Sequence, residues 1–151
     1  MNKEEGGFIE NRITILIVIT LLIDVFLIYI LKNEKKLVEF DKAFIYLMLI
    51  AHLLFISANL SRDIHSRDQM HMLYVMATAF VSLFITNKKL ITLLIAIILA
   101  MLLFWNIDGE CPIGSVKNTY PQWQEFYNSN VNFFRLWPSI VILILITKLF
   151  I

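Results

Sequence analysis

The sequence predicts an all-α fold, a polytopic transmembrane helical bundle, and three observations predict it. The apolar fraction is 59% over 151 residues, and the mean hydropathy is +0.75, both far above the norm for a water-soluble domain. The charged residues, 17% of the chain, gather in short clusters between long apolar runs. That is the pattern of a chain whose greater part lies in hydrocarbon, with charge marking the loops.

Five spans are expected, at about 13–31, 43–60, 70–86, 90–106 and 133–151. Residues 1–12 carry Lys3, Glu4, Glu5, Glu10 and Arg12 around Gly6 and Gly7, and read as a short polar segment frayed at its tip. Residues 13–31 are apolar apart from Thr14, Thr20 and Asp24, long enough to cross a bilayer core. They lack a small-residue cleavage site, so a retained first helix is expected. A charged connection, 32–42, leads to the second run with His52, Ser57 and Asn59 inside it.

Residues 61–69 read as a compact polar turn, and the third run contains Thr78 and Ser82. Asn87, Lys88 and Lys89 leave room only for a tight turn before the fourth run, so spans three and four are expected as antiparallel neighbours. Asp108-Gly109 and Cys111-Pro112 then supply turn chemistry. The extramembrane loop 107–132 follows, where Pro121 precedes aromatics at helical spacing and predicts a short interfacial helix. The fifth run holds Arg135, Pro138 and Lys148 near its ends, where a cation can snorkel and proline costs least. If Arg135 and Pro138 kept this run out of the bilayer, four spans plus an interfacial helix would remain. No repeat or linker divides the chain, so 1–151 reads as one membrane domain.

The loops 32–42 and 87–89 hold six cations, against two in 61–69 and one in 108–132. The positive-inside rule then places those two loops in the cytoplasm, with the N-terminus and loop 107–132 on the opposite side. Because lipid offers no hydrophobic drive for helix association, small residues mark expected contacts: Ala51 and Ala58, Ala77, Thr78 and Ser82, and the Ala96–Ala100 step.

Composition also excludes function classes. A net charge of +1 with no basic stripe leaves nucleic acid without an electrostatic footprint. The single Cys111 forms no intrachain disulfide or CxxC pair and has no base beside it in sequence. Three histidines are too few for a membrane di-iron enzyme, and His52 lies at a different depth from the others, which argues against bis-His haem. No cofactor motif is present.

Asp24 is the residue that most needs an explanation, since an ionisable group within a span must face protein or water. It lies eight residues before Lys32, and His52 lies ten after Lys42, so antiparallel spans set them at similar depth. The pair reads as a hydrogen bond that fixes helix register, or else as a proton relay. His65 and His71 with Asp63 and Asp68 form a mixed set of metal-ligating types, but their spacing matches no tight motif. Trp105, Tyr120, Trp123, Phe126, Tyr127 and Trp137 fall toward the long-loop side, as an aromatic belt or as anchors for another protein.

The exit segment Trp105-Asn106-Ile107-Asp108-Gly109-Glu110-Cys111-Pro112-Ile113, after a helix pair with His52 upstream, resembles short uncharacterised multi-pass membrane proteins of large DNA viruses. The resemblance covers 90–116 and implies a virion or viral-membrane role, with no activity to carry over. The expected function is a structural or accessory subunit that anchors or packs within a larger membrane assembly, viral or respiratory-type, through protein partners or as a homo-oligomer. A small oligomeric proton or ion conductor using Asp24 is the alternative. A lipid enzyme at the membrane interface, using His65, His71 or Cys111, is the third.

Overall fold

The computed structural model describes residues 3–61, 64–108 and 131–151. For 3–12, 64–65, 67–68, 71–72, 75, 105, 107–108 and 131–135 it describes the course of the backbone alone. These residues form five helices and no strand: α1 Lys3–Asn33, α2 Glu39–Leu60, α3 Ile64–Phe84, α4 Lys88–Asp108 and α5 Val131–Phe150. Two stretches, Ile13–Asn33 and Glu39–Leu60, are long and apolar enough to cross a membrane, with mean hydropathy of 2.9 and 2.0. Leu136–Phe150 is a shorter apolar helix.

Helix α1 starts ten residues before the expected span. The polar segment expected ahead of the span thus continues the same helix. Helix α3 likewise begins at Ile64, inside the stretch expected as a turn. A polar side chain bars a residue from lipid, not from a helix. Helix α2 has no side-chain cap at Val38, yet Glu39 and Asp41 in its first turn complement the dipole. Helix α4 is capped by Asn87, whose Oδ1 accepts from the backbone N–H of Lys89 at 3.0 Å and of Leu90 at 3.1 Å.

The buried positions of α2 are Asp41, Phe44, Ile45, Met48, His52, Phe55, Ala58 and Asn59, which recur mostly at steps of three and four and keep one face inward. On α4 they are Leu90, Ile91, Leu94 and Ile98, and on α5 Trp137, Pro138, Val141 and Leu145. The principal packing runs α1 on α2, α2 on α3, α3 on α5 and α5 on α4. Helices α3 and α4, expected as neighbours, are joined by only 85–87 but have α5 packed against both. A short turn holds two helix ends together and leaves the rest of their lengths free to part.

The central apolar cluster joins Leu27 and Ile30 of α1, Phe44, Ile45 and Met48 of α2, and Val81 of α3 to the α4 and α5 stripes. Leu37 and Ile85, from the turns 34–38 and 85–87, belong to it as well. Ala96 and Ala100, expected as a packing step, are exposed. Ala96 lies two residues past Leu94, about 200° around the helix, so the face that buries Leu94 turns the alanine outward.

Candidate functional site

Asp24 and His52 meet between α1 and α2. The His52 Nδ1–H donates to Asp24 Oδ1 at 2.5 Å across 28 residues of sequence. His52 is buried, and the Asp24 side chain is 17% exposed. By helix rise, Asp24 lies about 14 Å from the end of α1 and His52 about 20 Å from the start of α2, about one turn apart in count, yet the two side chains meet. Helix α3 completes the site: Tyr74 stacks on the imidazole with ring centroids 5.9 Å apart and planes 22° from parallel.

This arrangement joins three helices through one side chain. With Nδ1 held by the carboxylate, the tautomer and ring orientation follow, and Nε2 is the nitrogen left to exchange a proton or accept a bond. The tyrosine ring lends a flat face to the imidazole from the opposite helix. Sequence reading missed Tyr74 because an aromatic within an apolar run carries no mark of its partner.

Around this pair runs a polar seam. The buried polar residues among the described residues are Thr20, Asp41, His52, Asn59, Thr78 and Ser82, all on α1, α2 or α3. Thr20, Asn59 and Thr78 donate to the backbone carbonyl four residues earlier and Ser82 to that three earlier, which pairs a donor of each within its own helix. Asn59 Oδ1 is buried with no partner among the described residues.

A second polar centre closes the bundle end. Asp41 is 1% exposed, and its carboxylate accepts from the Thr86 backbone N–H at 3.1 Å, the Thr86 hydroxyl at 2.8 Å and the Asn87 N–H at 2.9 Å. It therefore holds the α3–α4 turn that Asn87 caps from within. Lys148 Nζ donates to the carbonyls of Leu83 at 2.6 Å and Ile85 at 3.0 Å, meeting the negative end of α3 with a cation. Lys88 Nζ reaches Leu149 O at 3.1 Å. Lys89 pairs with Glu34, and chiefly through that hydrogen bond the carboxylate holds the Lys89 ammonium above the usual lysine range. Sequence reading placed Asp41 among loop charges; its position in the first turn of a helix facing a second turn was the available signal.

The other expected site residues divide. Trp137 is 7% exposed and lies in the central cluster, so it is a core residue and not an interfacial anchor. One helical turn separates it from Val141 on the same buried stripe of α5, and that stripe faces the bundle. His65, Asp68, His71 and Trp105 lie in helices, but their side chains fall outside the described residues, as do Asp63, Cys111, Tyr120, Trp123, Phe126, Tyr127 and the expected interfacial helix. Among the described residues no group of three His, Cys, Asp or Glu could hold a metal ion.

Architecture and site together define, among the described residues, a set of helices of which two are long and apolar enough to cross a membrane, with the Asp24–His52 pair between those two. Comparison with known proteins matches the chain to no family model, no curated protein and no solved structure.

Proposed function

We propose that the chain is a five-span membrane bundle whose role is structural or accessory, packing through its helical faces within a larger membrane assembly. The observation that carries this reading is an inverted polarity. Every helix turns large apolar side chains outward: Leu22, Leu53, Met76, Leu103 and Leu143 are each at least 60% exposed, one on each helix. Asp41, His52, Asn59, Thr78 and Ser82 are buried instead. A helix on a water-soluble protein shows the opposite arrangement. Apolar faces of this extent mark contact with lipid or with other apolar helices. The resemblance of 90–116 adds a viral membrane to the assemblies in which such a subunit would serve.

The test is extraction from native membranes in mild detergent, followed by mass spectrometry of what co-purifies. Stoichiometric partner chains support an accessory subunit. A uniform monomer without partners overturns it.

A second reading has its own observation. Asp24 and His52 are ionisable groups bonded to each other well inside their helices, and such pairs mark proton routes in membrane proteins. In that reading the chain conducts protons as a homo-oligomer. Reconstituted wild-type protein would then pass protons and the Asp24→Asn variant, folded alike, would not; silence from the wild type removes the reading.

A further inference from the structure

The three acids at the 34–38 end of the bundle are all committed. Glu34 pairs with Lys89, Glu39 with Lys42 at 2.7 Å, and Asp41 is buried on the 86–87 backbone. Lys88 and Lys148 spend their ammonium groups on carbonyls at the ends of α5 and α3. Lys32, Lys35 and Lys36 are exposed, and none of them has a partner among the described residues. They follow one another through the last turn of α1 and the connection to α2, with no acid left to neutralise them.

Beside these lysines the surface turns apolar. Tyr29, 50% exposed, precedes Lys32 by one helical turn and lies under Lys89 Nζ at 5.7 Å, while Val38, 46% exposed, and Phe40, 36% exposed and tilted against the Phe84 ring, follow Lys36 in sequence; such side chains favour the upper acyl and headgroup layer. A row of unpaired ammonium groups above exposed aromatic and aliphatic side chains has the charge and the polarity gradient of an anionic membrane surface.

We infer that Lys32, Lys35 and Lys36 form a headgroup site for anionic phospholipids, recognising the lipid phosphate by charge while Tyr29, Val38 and Phe40 rest against its acyl chains. This rests on the membrane reading above and deepens it, because it assigns a lipid class to one end of the bundle. The site selects among lipids rather than driving insertion. Each lysine adds a similar increment of attraction.

The experiment titrates the full-length chain in detergent with phosphatidylglycerol or with phosphatidylcholine and counts bound lipid by native mass spectrometry. Wild-type protein is expected to retain phosphatidylglycerol preferentially. Each Lys→Gln change at the three positions should weaken that retention about fivefold, and the triple variant on the order of a hundredfold. Lys42→Gln, which removes a lysine already paired with Glu39, is expected to leave the preference intact. Circular dichroism of the triple variant establishes that it is folded. Equal retention of the two lipids, or a preference that survives the triple change, overturns the proposal. So does displacement of phosphatidylglycerol by inorganic phosphate or a polyglutamate peptide at equal charge concentration, which would identify a soluble anion or an acidic protein as the occupant. Alkaline washing of native membranes separates the two levels: a chain released by the wash fails the membrane reading itself, whereas a retained chain without lipid preference fails this proposal alone.

Discussion

The α1–α2–α3 side and the α4–α5 side of the bundle are held by different physics. Every buried polar residue among those described lies on the first three helices, including the Asp24–His52 contact partner and the Asp41 cap. Between α4 and α5 the buried residues are Leu90, Ile91, Leu94, Ile98, Trp137, Pro138, Val141 and Leu145. Hydrogen bonds are directional and fix register, since a one-residue slide on α2 turns His52 about 100° away from Asp24. Dispersion contacts between branched side chains are numerous and tolerant of small slides. Inside the bundle the first side therefore carries a directional bond between helices and the second fills space, while Lys88 to Leu149 and Lys148 to Leu83 tie α5 in at the exposed end.

The comparison can be broken or sharpened by substitution. The largest effect is expected for Asp41→Ala, which takes the buried carboxylate away from two backbone N–H groups and a hydroxyl at the 86–87 turn. A loss of about 3–5 kcal/mol in detergent unfolding is expected, as three donors lose a charged acceptor together. Asn at this position keeps one acceptor oxygen and should fall between. If Asp41→Ala costs no more than a surface change, the polar side is not the anchored one.

Leu145→Ala on the apolar side should cost about 2 kcal/mol, because the side chain is fully buried and its removal leaves a cavity. The same unfolding assay reads it, and the register of α1 against α2, followed by cysteine crosslinking, should stay unchanged. A register shift in this variant would erase the division of labour.

The smallest energetic effect belongs to the Asp24–His52 bond. A double-mutant cycle with Asp24→Asn and His52→Ala is expected to give a coupling of about 1 kcal/mol, within the modest range of interhelical bonds in membrane proteins. Its signature lies elsewhere: α1–α2 crosslinks should spread over neighbouring registers in either single variant. Additive energies with unaltered crosslinks would leave the pair without a structural part.

Much of this was legible in the residues. The first two apolar helices follow from uninterrupted runs, and the Asp24–His52 meeting follows from counting depth on either side of one charged loop. Other features were not, for physical reasons. Hydropathy says that a helix is apolar but not which helix it touches, so nothing in 85–89 revealed α5 lying against both α3 and α4. Asp41 and Lys42 are adjacent charges, and only the fold buries one and leaves the other at the surface. Trp137 has the composition of a headgroup anchor and the position of a core residue, which differ by a rotation about α5. Ala96 and Ala100 fit a packing step by spacing, yet the bulkier stripe of Leu94 and Ile98 claimed the inner face.

The placement of α5 also orders the making of the bundle. Helices α3 and α4 emerge from the ribosome together, and a tight turn brings their ends into register at once. The surfaces that each will present to α5 stay unfilled until Val131–Phe150 has been synthesised. During that interval Leu90, Leu94 and Ile98 lack the Val141 and Leu145 side chains that share their cluster. The Asp41 contact needs only α2 and the 85–87 turn, so it can set before the last helix arrives. Biogenesis thus divides into an early frame locked by one carboxylate and a late wedge that completes the interior.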